Sequence, residues 1–140
     1  MESLHYLLMK SHSIMHRRVF EQAQKIGLTL GQPKILDYLR EHEGENQKTI
    51  AEYCEIEPAT LGSILLRMEN KGYIERRQKN GNRRSLYVYL TDKGKQKAEE
   101  MNRIFIDADS KAELNLTDAE VKELKRMLLK ICTNLESEDV

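Results

Sequence analysis

The chain has no tryptophan, only two cysteines and two prolines, and no net charge. Two cysteines, Cys54 and Cys132, cannot form a disulfide framework. A stapled secreted scaffold is therefore excluded, and a reduced, cytoplasmic setting is expected. No apolar run approaches the roughly 20 residues that span a bilayer, so no membrane partner is expected. The apolar cluster in "MESLHYLLMK" is too short for a signal-peptide core. There is no Gly-rich phosphate loop, no Ser-His-Asp or Cys-His arrangement with a supporting loop, and no defensible carboxylate pair. Neither enzymatic activity nor a cofactor is expected.

Charged residues make up 33% of the chain and aromatics 6%, a composition that suits helices with long solvated faces. The 23 basic and 23 acidic residues balance, which excludes an unstructured polyanion-binding tail. Balance over the whole chain does not fix local charge, and local charge decides what a surface meets. At 140 residues the chain fits one domain, able to bury roughly 68–70% of its unfolded surface.

Helical spacing of Leu4, Leu7, Leu8, Ser11, Ile14, Met15 and Val19 predicts a first helix over residues 2–26. A second starts at Thr29-Leu30-Gly31-Gln32-Pro33, with Ile35, Leu36 and Leu39 facing inward. A short third helix, Gln47 to Cys54, connects through Glu55-Ile56-Glu57 to a fourth that begins near Pro58 and ends at Gly72. The stripe of the fourth is Leu61, Ile64, Leu65 and Met68, and the pair forms a helix-turn-helix.

The period then falls to two. Leu86, Val88 and Leu90 alternate with Tyr87 and Tyr89, Tyr73 to Gln78 supplies an antiparallel partner, and Asn80-Gly81 offers the turn. Thr91-Asp92 caps a helix running to about Ala112. Thr117 and Glu120 have capping-box spacing before a last helix with Val121, Leu124, Leu128, Ile131 and Leu135 on one stripe.

The hairpin carries Arg76, Arg77, Lys79, Arg83 and Arg84 around its turn. A helix-turn-helix followed at once by a cationic hairpin is a winged helix. A major groove about 12 Å wide admits one helix, and the hairpin then meets the backbone or the minor groove. The fourth helix would turn Thr60, Ser63 and Arg67 to the bases, and Gln32, Gln47 and Lys48 lie where such folds touch phosphate. The expected fold class is mainly α (α+β), a winged helix-turn-helix flanked by long terminal helices.

Three stretches sharpen this: "GLTLGQPKILDYL" (27–39), "IAEYCEIEPATLGSILLRMENKGYIERR" (50–77) and "NRRSLYVYLTDKG" (82–94). They resemble the MarR family of bacterial transcriptional regulators. The family's wing pattern is Asp-x-Arg, a strand, then Leu-Thr. Arg84 fills the arginine place and Leu90-Thr91 the Leu-Thr place, while Asn82 stands where the acid would be. The resemblance implies a single domain over 1–140, with a DNA-binding lobe at 29–94 and dimerisation helices at 1–26 and 95–140. It also implies a homodimer on a pseudo-palindromic double-stranded operator. Such proteins are usually repressors and are often released by a small aromatic or anionic effector. A metal- or redox-responsive regulator of the same fold, or a winged-helix protein-interaction module, are the alternatives.

His12 and His16 stand at i, i+4, a spacing that can offer two imidazoles to zinc, but no third ligand is evident. Ordinary exposed or interface histidines, or the lining of an effector cavity, fit them better. Cys54 reads as a core thiol, and Cys132 lies near the stripe of the last helix.

Overall fold

Backbone chemistry explains where each element starts. In a computed structural model, which describes residues 1–79 and 81–137 and only the backbone at 82–84, α1 spans Leu4–Lys25. Ser3 caps it by accepting from the Tyr6 amide at 3.3 Å. Helix α2 (Gln32–Glu41) starts within the expected Thr29–Pro33 stretch, with Pro33 in its first turn behind Gly31, which takes a left-handed φ of 85°. A Cβ at Gly31 would stand 2.6 Å from Ile64 Cδ1, so this turn lies directly against the fourth helix.

Helices α3 (Gln47–Cys54) and α4 (Pro58–Asn70) form the helix-turn-helix. Asn46 caps α3 by accepting from the Thr49 amide at 2.8 Å. Strands β2 (Ile74–Lys79) and β3 (Asn82–Leu90) form the hairpin. A two-residue strand β1 (Glu45–Asn46), which sequence periodicity does not reveal, pairs with the other side of β3. The antiparallel sheet has the order β1-β3-β2. Helix α5 covers Asp92–Ala112, and α6 covers Asp118–Glu136 behind the expected Thr117/Glu120 capping box.

One core joins α2, α3, α4, the hairpin base and α5 through Leu36, Leu39, Ile50, Leu61, Leu65, Met68, Ile74, Val88 and Met101. The expected stripe of α4 is buried throughout, as are Val88 and Leu90. Leu86, expected to be buried with them, is only half-buried, because it sits further along the wing, beyond the reach of the core.

Thr91 locks the hairpin to α4. Its Oγ1 donates to the Gly72 carbonyl and accepts from the Gly94 amide at 3.0 Å, while its own amide donates to Tyr73 O at 3.0 Å. Two lysines of α5 cap other helices. Lys97 Nζ donates to Ile26 O at 2.6 Å beyond α1, and Lys93 Nζ to Lys71 O at 2.9 Å at the end of α4. The chain divides into two compact units, Met1–Ala108 and Asp109–Val140. Helix α6, in the second, buries none of its described residues.

Candidate nucleic-acid interface

Burying Leu61, Ile64, Leu65 and Met68 fixes the rotation of α4. Ala59, Thr60, Ser63, Leu66 and Arg67 are consequently exposed. Ser63 Oγ donates back to Ala59 O at 3.4 Å, a bond a better partner would displace. Nothing lies within 4 Å of where a Cβ on Gly62 would sit, so no packing within the chain requires that glycine. Lys48 is exposed in the first turn of α3. Gln32 is not available to a phosphate. It is 3% exposed, and its Oε1 accepts from the Thr29 amide at 3.0 Å, closing the turn into α2. Its expected phosphate contact is corrected to a structural one.

The hairpin cations separate by strand alternation. Arg76 pairs with Val88 across the ladder and therefore shares the inner face of the sheet. Its side chain is 17% exposed and donates to both carboxylate oxygens of Glu69 on α4, at 3.1 and 3.4 Å. It also donates to Gln47 Oε1 on α3 at 3.3 Å. Arg76 thus ties the wing to both helices of the helix-turn-helix, and is corrected from a free wing cation to a strut. The Arg76 hydrogen bond lowers the Glu69 carboxyl below its ordinary range, outweighing the opposing effect of burial.

Arg77 and Lys79 lie on the outer face and are exposed. Arg77 is also paired with Glu75 at 2.9 Å. The side chains of Asn82, Arg83 and Arg84, and residue Asn80, lie outside the described residues. Sequence reading grouped all five cations together, yet the same two-residue period it used for Leu86, Val88 and Leu90 already separates Arg76 from Arg77. Glu69 and Gln47 as partners of Arg76 had no comparable signal.

A cavity of about 550 Å³ opens between α1, α2 and α4. Met15, Phe20, Pro33, Ile56, Ile64 and Phe105 supply apolar walls, and His12, His16, Lys34, Glu55, Glu57 and Thr60 supply polar ones. Thr60 therefore belongs both to the exposed face of α4 and to the cavity wall. The His12 and His16 rings are 5.8 Å apart, and His16 stacks on Phe20 at 6.0 Å. Among the described residues, no group of three or more His, Cys, Asp or Glu side chains is arranged to hold a metal. Burial pushes the Cys54 thiol up to about 11, which leaves it protonated and unreactive. Cys132 is exposed on α6. Among the described residues, no helix is long and apolar enough to cross a membrane.

A helix-turn-helix with an exposed recognition face, followed by a hairpin with exposed outer cations, defines a winged helix-turn-helix protein. The MarR family model matches residues 28–86. The HTH-type transcriptional repressor Rv2887 of Mycobacterium tuberculosis is 27% identical over 128 residues, covering 91% of this chain and 92% of that protein. The HTH-type transcriptional regulator YwoH of Bacillus subtilis is 32% identical over 93 residues, covering 66% and 67%. A MarR family regulator from Listeria monocytogenes, solved with a 26mer DNA, superposes with a TM-score of 0.85 at 21% identity, over 96% of this chain and 89% of that one. The chain belongs to the MarR family of DNA-binding transcriptional regulators.

Proposed function

We propose that this protein is a cytoplasmic homodimeric repressor that binds a pseudo-palindromic duplex and leaves it when a small aromatic or anionic molecule fills the cavity. One juxtaposition carries this function. The exposed face of α4 and the outer face of the hairpin are fixed to each other through Arg76 and Glu69. In the bound state Thr60, Ser63 and Arg67 face base edges, while Lys79, Arg77, Arg83, Arg84 and Lys48 meet phosphates. The likeness to the DNA-bound Listeria regulator supports this arrangement.

The exposed apolar stripes of α6 (Leu124, Leu128, Leu135) and of the first half of α1 (Leu4, Leu7, Ile14) supply surface for a second copy. Residues 1–26 and 95–140 would form that dimer, setting two recognition helices about 34–36 Å apart on successive turns of the duplex. Apolar walls with Phe20 and Phe105 suit an aromatic ring, and Lys34 suits an anionic group on it. Because Thr60 and Ile64 of α4 form part of the wall, an occupant touches the recognition helix directly. A ligand with higher affinity for one setting of α4 shifts the population toward it. No catalytic step is involved.

The test is selection of duplexes from a random-sequence pool, followed by salt titration of the enriched site. The pair Thr60→Ala and Ser63→Ala weakens the enriched site while leaving binding to bulk DNA intact, by about 1–3 kcal/mol per lost base contact. Lys79→Ala lowers the log–log salt slope by about 0.9. Failure to enrich any duplex overturns the function.

A further inference from the structure

Strand alternation places Glu75 and Arg77 of β2 on the same outer face as Tyr87 and Tyr89 of β3, and beyond a register shift at Gln78/Lys79 the Lys79 side chain reaches the same two rings. Arg77 pairs across the ladder with Tyr87, yet its guanidinium carbon lies 4.3 Å from the centre of the Tyr89 ring, on the diagonal. Lys79 Nζ lies 4.5 Å from the Tyr87 ring centre and 5.8 Å from that of Tyr89. The rings are half-buried and the cations exposed. The Tyr89 ring also lies close against Gly44. A Cβ at Gly44 would come within 3.0 Å of Tyr89 Cε1, and Gly44 is itself held to the sheet by its amide bond to Val88 O at 2.8 Å.

A ring holds a cation differently from an acid. A carboxylate fixes the position of a cation but cancels its charge toward an approaching phosphate. The negative face of an aromatic ring fixes it while leaving its full charge, and its outward N–H donors, available. Glu75 partly offsets Arg77, whereas Lys79 stands over two rings.

We propose that Tyr87 and Tyr89 are positioning residues for DNA binding: they hold Lys79, uncancelled in charge, and Arg77, its charge partly offset by Glu75, at the phosphate-facing side of the wing. This rests on the function proposed above. Lys79 then contributes more to the salt slope than Arg77, whose charge is shared with Glu75.

The test is a pair of double-mutant cycles in the full-length protein, Tyr87→Leu with Lys79→Met and Tyr89→Leu with Arg77→Met. Affinity is measured for the duplex that the native protein enriches from a random pool. Each Tyr→Leu change is expected to cost about two- to fivefold in affinity, the strength of an exposed cation–ring contact. Each Tyr→Phe change, which keeps the ring, costs less than about twofold. On the methionine background, Tyr87→Leu costs nothing further, and Tyr89→Leu costs only the small part that its more distant contact with Lys79 supplies. Melting curves identify any variant whose loss comes from unfolding. Equal losses on both backgrounds, or a phenylalanine variant as weak as the leucine one, overturn the assignment of the tyrosines alone. If the native protein enriches no duplex, the function itself fails and takes this inference with it.

Discussion

The winged-helix lobe and helix α6 both carry apolar residues at helical spacing, yet among the described residues only those of the lobe are buried. In the lobe, Leu36, Leu61 and Leu65 are fully buried. In α6, Leu124, Leu128 and Leu135 remain 44%, 38% and 67% exposed. Helix α1 is divided between the two conditions, with Val19 and Ala23 buried and Leu4, Leu7 and Ile14 exposed. Periodicity states that a face is apolar; it does not state what covers it. The apolar stripes of the lobe are covered with help from α1 and α5, whereas none of the described residues of α6 is buried.

The sharpest break of the lobe is at Gly94. A Cβ there would lie 1.9 Å from the Tyr73 carbonyl oxygen and 3.3 Å from Leu90 Cδ2. Tyr73 cannot retreat, because its carbonyl accepts from the Thr91 amide at 3.0 Å and the next residue, Ile74, enters the ladder against Leu90. Gly94→Ala is expected to cost about 3 kcal/mol or more, a large fraction of a typical domain's stability, read as the denaturant midpoint. A midpoint within error of the native protein would refute the backbone contact.

Substitution on α6 should act in the opposite way. Leu124→Glu with Leu128→Glu places charge on a face that is already wet, so the lobe keeps its helical signal. Sedimentation should show a monomer, and affinity for a two-half-site duplex should fall on the order of 100-fold as the second half-site is lost. A variant that still sediments as a dimer excludes this stripe as the interface.

The same contrast explains what was legible in the sequence. Where one chain supplies both sides of a contact, pattern sufficed: the α4 stripe, the Gln47–Cys54 span of α3 and the Thr117/Glu120 box all fall where spacing places them. Strand β1 was not legible, because two residues carry no period and only pairing with β3 defines them. The burial of Gln32 depends on the left-handed turn at Gly31, a local conformation that a polar residue's type does not announce. The cavity is assembled from α1, α2, α4 and α5, so no single stretch encodes it. Arg76 was legible in principle, because a residue opposite Val88 must face inward.

Arg76→Met tests that strut. It leaves Glu69 without its partner, and because Glu69 is 37% exposed in its side chain, water recovers part of the loss. The expected cost is about 1 kcal/mol, with little change in the salt slope, since the Arg76 guanidinium is already held by Glu69. The pH dependence has a definite sign. The folded-state carboxyl of Glu69 is lowered from 4.5, chiefly by the Arg76 hydrogen bond. Its contribution is therefore full above 4.5 and is lost as pH falls through the lower folded value. In Arg76→Met this acid-side loss should shrink. An unchanged acid limb combined with a lower salt slope would return Arg76 to the phosphate-binding set.

The smallest effect separates stability from function within α4 itself. Gly62 has an ordinary helical backbone, and a Cβ there meets nothing within 4 Å. Gly62→Ala should therefore stabilise the fold by about 1 kcal/mol, the helix preference of alanine over glycine. The added methyl projects from the partly exposed Gly62, between Thr60 and Ser63 on the face assigned to DNA. If the backbone of α4 approaches the duplex closely, affinity falls while the melting temperature rises. A rise in both would show that this turn of α4 stands off from the bases, moving the readout toward Arg67 and the wing.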